Sequence, residues 1–245
     1  VQVFIFMQYL ERTYRRHISK NNLLSYSVTV RETDLLISSD IELKGPALES
    51  VHRHRAHLEA YIASHPAFIS ALSPLEPDDL APDIVRDMLK AGRLAGVGPM
   101  AAVAGAIAEH VGKDLLSLTP NVIVENGGDI FLKCSEEIKI GIFAGTSTLS
   151  HRLAIRIRPE DTPAGVCTSS ATVGPSLSFG TADAVCVKSG SASLADAAAT
   201  AIGNRVKTNK DIKKALTFGA RIRGVLGILI IVGNEIGAWG ELELA

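Results

Sequence analysis

The sequence predicts an α+β fold, and three observations carry that expectation. Short apolar runs, most of them bounded by glycines, recur between residues 122 and 232, as strands do. Segments with helical spacing or alanine-rich composition lie before and after them. One pattern also occurs twice. Met100-Ala-Ala-Val-Ala-Gly-Ala-Ile-Ala and Leu194-Ala-Asp-Ala-Ala-Ala-Thr-Ala-Ile are both helices of very small residues beside a glycine-rich loop, which points to a pseudo-repeat.

Taken in order, residues 25–31 alternate and residues 35–38 follow the turn-like Glu32-Thr33-Asp34, so a hairpin is expected. Pro46 sits where a first-turn proline is tolerated, and a helix to residue 63 carries Leu48, Val51, Leu58 and Ile62 as its apolar stripe. His65-Pro66 ends it. A second helix spans residues 82–92 with Ile84, Val85, Met88 and Leu89 inward, and a third spans residues 100–111. Strands are expected at residues 122–124, 130–132, 138–143, 153–157 and 184–187. An alanine-rich helix at residues 193–202, a polar helix near residues 210–216 and a doubly buried strand at residues 225–232 complete the chain.

A chain of 245 residues can bury a large core as one domain, residues 1–245, made of two packed halves near 1–120 and 121–245. With a formal net charge of −1, its overall field offers no general attraction to nucleic acid or anionic lipid. A nucleic-acid role would require a local patch. Cys134, Cys167 and Cys186 are an odd number without C-x-x-C spacing, which argues for a reducing, cytoplasmic setting over a disulfide framework. The apolar stretches 1–10 and 224–233 are shorter than the roughly 20 residues a membrane helix needs, so no membrane role is expected. The expected partner is a small phosphate-bearing ligand, and homo-oligomerisation is left open.

Four segments carry chemistry. In Ala95-Gly-Val-Gly98-Pro-Met100, Gly98 precedes a helix whose free N–H groups can receive a phosphate, although a Gly-Pro turn is also ordinary punctuation. In Glu125-Asn126-Gly127-Gly128-Asp129, the glycines suit either a type I′ turn or the approach of bare backbone to a flat ligand. There Glu125 and Asp129 supply carboxylates for a ribityl or ribose hydroxyl, or for a metal. Cys167-Thr168-Ser169-Ser170-Ala-Thr172-Val-Gly-Pro-Ser176 is dense in hydroxyls, which suits a ligand's polar edge and suits a plain loop as well. Asp196 and Thr200 are four apart on one helix face, two hard oxygen donors that can share a magnesium ion, or else a dipole-balancing carboxylate and a hydroxyl bonded to its own helix.

Around these residues the sequence resembles the ApbE-like flavin transferase superfamily, which transfers FMN from FAD to a protein threonine. The resemblance rests on Ser193-Leu-Ala-Asp196-Ala-Ala-Ala-Thr200-Ala-Ile and Asn126-Gly-Gly-Asp-Ile130. Gly96-Val-Gly-Pro-Met-Ala-Ala-Val-Ala-Gly105, Cys167-Thr-Ser-Ser170 and Ser176-Leu-Ser-Phe-Gly180 look closer still to an uncharacterised branch of it. It covers nearly the whole chain. The resemblance implies a T-fold architecture, with antiparallel sheets packed on Ala-rich helices, two pseudo-repeated halves, and FAD or FMN held between them with magnesium on Asp196 and Thr200. Two superfamily features have no counterpart: a Lys-Gly pair entering the first alanine-rich helix, where Pro99-Met100 stand, and an H-x-x-x-P-x-x-G segment, where the stretch 174–181 holds no histidine.

Three functions follow: a magnesium-dependent enzyme that transfers FMN or cleaves the FAD pyrophosphate, a non-catalytic flavin- or nucleotide-binding module, and an oligomeric scaffold without ligand. No catalytic residue is assigned. His52, Arg53, His54, Arg55 and His57 read as a solvated helix face, with Arg55 the exception because it falls on the apolar stripe and can pair a buried anion or a ligand phosphate. Arg12, Tyr14, Arg15 and Arg16 read as surface.

Overall fold

Residues 24–39 form the first hairpin, β1 (Leu24–Val30) and β2 (Thr33–Ser39), in which Tyr26 and Val28 stand opposite Ile37 and Leu35 and all four are buried. The computed structural model describes residues 22–170 and 180–245. The stretch 1–10 and the cluster at Arg12, Tyr14, Arg15 and Arg16 lie outside the described residues, as do Thr172 and Ser176.

From β2 the chain enters helices α1 (Lys44–Ser64), α2 (Ala67–Ser70) and α3 (Asp83–Ala95). A 3₁₀ turn at Pro99–Ala102 then leads into α4 (Val103–Leu115). The chain returns as a second hairpin, β3 (Val122–Asn126) and β4 (Asp129–Lys133). After β5 (Ile138–Gly141) and β6 (Ala154–Ile157) come β7 (Ala164–Ser169) and β8 (Ala184–Ser189), helices α5 (Ala192–Gly203) and α6 (Ile212–Gly219), and the last hairpin, β9 (Val225–Val232) with β10 (Glu235–Gly240), followed by β11 (Glu243–Leu244).

Eight strands make one sheet in the order β1-β2-β3-β4-β7-β8-β9-β10, every neighbouring pair antiparallel. Its topology repeats: two strands, helices, two strands, then the same again, with β4 and β7 paired where the repeats meet. A smaller sheet, β11-β6-β5, is also antiparallel. The α+β class with antiparallel sheets and alanine-rich helices is therefore observed.

Strand parity divides the interior in two, because alternate residues face opposite sides. Val122, Val124, Phe131, Cys167, Val185, Val187, Ile228 and Ile230 pack against the helices. Ile123, Ile130, Leu132, Val166, Cys186, Leu229 and Ile231 pack against the smaller sheet. The central strands are covered on both faces, which is why β9 is apolar nearly throughout. Among the described residues no single helix is long and apolar enough to cross a membrane, and the stretch 224–233 contains β9.

Several elements differ from expectation. The inward face of α1 is Ala47, Ser50, Val51, His54 and Leu58, while Leu48 is 40% exposed, so the stripe is rotated toward small and polar side chains. Strand β7 covers residues expected to be a hydroxyl-rich loop. The helix near residue 100 opens with a 3₁₀ turn at Pro99–Ala102.

Candidate functional site

The site begins at the β3–β4 turn. Gly127 (φ 67°) and Gly128 (φ 105°) both adopt positive φ, the pattern of a two-residue I′ hairpin, so Asn126 pairs directly with Asp129. Parity then sends Asn126 and Asp129 to the helix face. Asn126 Nδ2 donates to the Ala104 carbonyl at 3.1 Å, fixing the hairpin tip to the start of α4. Glu125 points to the opposite face, where its Oε1 accepts the Gly128 N–H at 2.9 Å. The two-residue period of the strand thus sends Glu125 and Asp129 to opposite faces of the sheet, although the Glu125 charge still raises Asp129.

Asp129 stands opposite Cys167 on β7. Its carboxylate accepts from the Cys167 thiol and from the Thr168 backbone N–H. The same thiol lies 3.3 Å from the Ala192 carbonyl, tying β7 to the first turn of α5. Two glycines allow that approach. A Cβ on Gly105 of α4 would lie 2.3 Å from the Ala192 carbonyl oxygen, and one on Gly165 of β7 would lie 2.3 Å from the Ala192 Cα. The start of α5 is therefore pressed between helix and strand.

Glu109 fixes this end of α5. Buried on α4, it accepts from Ser191 Oγ (2.8 Å), Ser193 N (3.0 Å) and Ser193 Oγ (3.1 Å), and it pairs with Lys113 at 2.7 Å. Burial opposes its ionisation, yet these donors hold its carboxyl below the usual glutamate value. A carboxylate at a helix start also satisfies the helix dipole.

One turn on, Asp196 reaches back to α4, where the Gly105 N–H donates to it at 2.9 Å and the Ala104 N–H bonds it as well. Burial raises its carboxyl to about 7, against the opposing pull of those two donors. Burial, then the nearby Asp196 charge, lifts Asp129 well above the ordinary aspartate value. Two carboxylates from distant parts of the chain, Asp129 buried and Asp196 half-buried, thus come within electrostatic reach of each other, and among the described residues no lysine or arginine is paired with either.

The remaining expected residues distribute as follows. Thr200 lies one turn beyond Asp196 on the same face, partly exposed, and its hydroxyl makes no hydrogen bond among the described residues, including none to its own helix. Ser169 faces the end of α5, its Oγ 3.8 Å from the Cβ position of Gly203. The Thr168 side chain turns to the other face, beside Cys186, so Thr168 serves the site through its backbone. Ser170 follows β7 directly. Gly98 donates its N–H to Leu72 O at 3.1 Å, and a Cβ there would fall 1.7 Å from Ala71 O, so close packing explains this glycine. The N–H groups expected to receive a phosphate at the start of α4 are taken by Asp196 instead.

In the histidine-rich stretch His52, Arg53 and His57 are solvated as expected, and His54 is not. His54 is buried and bonds Asp114 Oδ2 at 2.7 Å, which Ser50 and Arg53 share at 2.5 Å each. His110 pairs with Asp87 at 2.9 Å, its ring centroid 5.0 Å from that of His54. Arg55 pairs with Glu32 and Glu59 and donates to Thr33, so its anions are intramolecular. These contacts tie α1 to α3, α4 and the first hairpin.

A divalent cation fits the donor set. Asp129 and Asp196 are hard oxygen donors whose mutual repulsion such an ion would relieve, and Thr200 adds a third oxygen. No group of three or more His, Cys, Asp or Glu side chains with metal-holding geometry occurs among the described residues. Two carboxylates and a hydroxyl leave positions for water and a ligand phosphate, as magnesium sites commonly do. Sequence reasoning named Cys167 only within a hydroxyl-rich loop and passed over Glu109, whose signal was a glutamate following the small, apolar first turns of α4.

A family model described as AbpE bacteria matches residues 15–238. The UPF0280 protein of Methanocella arvoryzae is 44% identical over 214 residues, 87% of this chain and 87% of that protein. That of Methanosarcina acetivorans is 43% identical over 219 residues, 87% and 85% of the two chains. Among solved structures, the apo flavinyl transferase ApbE of Pseudomonas stutzeri superposes with a TM-score of 0.54 at 15% identity, covering 89% of this chain and 94% of that one. The ApbE protein of Thermotoga maritima gives 0.52 at 15% identity, covering 89% and 97%. At such identities these two likenesses establish a common fold.

Proposed function

Because the chain belongs to the AbpE bacteria family, we propose that it is a magnesium-dependent flavin-binding protein, taking FAD or FMN at the Asp129–Asp196 site and acting as an FMN transferase or FAD pyrophosphate-cleaving enzyme. The observation that carries this reading is the adjoining pair of carboxylates, Asp129 buried and Asp196 half-buried, both with raised pKa and neither with a basic partner among the described residues. Such a pair repels a bare phosphate, so phosphate binding there requires a dication. When bound, that ion supplies charge neutralisation at the pyrophosphate. The chain's own residues hold the geometry: Ala104 and Gly105 orient Asp196, Cys167 and Thr168 orient Asp129, and the Gly127-Gly128 turn brings bare backbone to the edge of the site. In the reaction the FAD anhydride P–O bond breaks, the FMN phosphoryl group passes to a threonine hydroxyl or to water, and AMP leaves. The buried, unbridged thiols of Cys134, Cys167 and Cys186 support a cytoplasmic setting.

A second reading, a non-catalytic flavin- or nucleotide-binding module, is favoured by one feature. His54 and His110 are engaged with Asp114 and Asp87, so neither serves Asp129 or Asp196 as a proton acceptor. Calorimetric titration with FAD, FMN and ATP, with and without magnesium, beside Asp196→Ala, tests the site. Magnesium-dependent FAD binding that the variant loses is expected. Absence of flavin or nucleotide binding under both conditions overturns the proposal, and tight binding without AMP release selects the module.

A further inference from the structure

The near-zero net charge conceals a segregated surface. Seven of the chain's 25 lysines and arginines fall within residues 205–223, where Asp211 is the one carboxylate. Lys213, Lys214 and Arg221 line an open cavity of about 330 Å³ together with Thr217 and Phe218, on α6 and the turn after it. Arg205, Lys207, Lys210 and Arg223 surround it in sequence. All seven are exposed, and none forms an ion pair among the described residues. The acidic neighbours are occupied. Asp211 accepts from the backbone N–H groups of Lys207 and Thr208 and from the Thr208 hydroxyl, and Glu235 accepts from Asn209.

Concentrating so many cations without a carboxylate partner among the described residues costs self-repulsion, which a polyanion would relieve. The composition of the patch selects among polyanions. A protein interface needs an apolar centre, and residues 205–223 expose no large apolar side chain. Base stacking needs a free aromatic face, and the one aromatic here, Phe218, is covered by the Arg205 guanidinium at 3.5 Å from its centroid. What remains is contact with phosphates alone. We propose that the α6 surface binds the phosphate backbone of double-stranded nucleic acid, without reading its sequence.

Fluorescence anisotropy of a labelled DNA duplex and of the RNA duplex of the same sequence, titrated with the full chain at several salt concentrations, tests this. Both duplexes are expected to bind within a few-fold of each other. The logarithm of affinity should fall with the logarithm of salt concentration at about −0.9 per phosphate neutralised, a slope near −4.5 if about five cations engage. Lys213→Ala/Lys214→Ala/Arg221→Ala should reduce that slope in magnitude by about 2.7 and weaken binding at least about tenfold in low salt, with Tm unchanged. The proposal is overturned by no binding at low salt, by a triple variant that binds as the parent does, or by one duplex binding without the other. It is overturned equally if polyglutamate competes as well as unlabelled duplex, which would assign the patch to an acidic protein.

Discussion

Replacing Asp196 with asparagine should make the cation-free protein more stable while removing its response to magnesium. The Asp196 carboxyl accepts the Gly105 N–H at 2.9 Å, and an asparagine side-chain oxygen can accept the same bond, so packing is preserved. Ionisation is what changes. With the folded value at about 7 against an ordinary 3.8, the acid's stabilising effect is complete below the unfolded pKa and is lost as pH rises through about 7. At 1.36 kcal/mol per pH unit the full loss is about 4 kcal/mol, and solvent access to the partly exposed carboxylate reduces it to about 2 kcal/mol. Asparagine escapes that loss. At about 2–4 °C per kcal/mol for a chain of this size, Asp196→Asn should melt about 4–8 °C above the parent near pH 8 with a chelator, the difference vanishing near pH 4. Scanning calorimetry at both pH values provides the measurement. Added magnesium should raise the parent's Tm and leave the variant's unchanged. A variant that melts below the parent at pH 8, or a difference that ignores pH, would show that ionised Asp196 does not destabilise the cation-free fold.

Other substitutions probe the frame that holds the pair. Gly105→Ala would set a methyl 2.3 Å from the Ala192 carbonyl oxygen and 2.8 Å from Asp196 Cβ, so it should cost about 1–3 kcal/mol in chemical denaturation and weaken magnesium binding as well. Glu109→Ala strips the start of α5 of its acceptor, and a loss of about 2–3 kcal/mol is expected in urea unfolding. Because Glu109 is held below its usual value, its contribution should fade as pH drops through that lowered value, so parent and variant should converge in acid.

Much of the frame is legible from local pattern. Helical spacing around Ile84, Val85, Met88 and Leu89 and the glycine-bounded run 225–232 each encode their element within a few residues. Strand β7 is harder to read, since Gly165, Cys167 and Ser169 on its inward face are small or polar to make room for α5. Strand β10 has no apolar alternation because it is an exposed sheet edge. The face of α1 shifts from Leu48 to Ala47 because buried polar contacts, Ser50 and His54 with Asp114, set its rotation. The site itself is only half written locally. Asp196 and Thr200 share a face by simple spacing, but the meeting of Asp196 with Asp129 depends on β4 pairing with β7 under α5, which no short window encodes.

In the proposed site Asp129 and Asp196 hold one divalent ion that joins the chain to a flavin phosphate. Electron paramagnetic resonance of manganese titrated into the protein, with and without FAD, measures this most directly. One bound ion per chain is expected, bound more tightly when FAD is present, with no such binding in Asp129→Asn or Asp196→Asn. Manganese that binds equally to the parent and both variants, or an affinity indifferent to FAD, would contradict such a site.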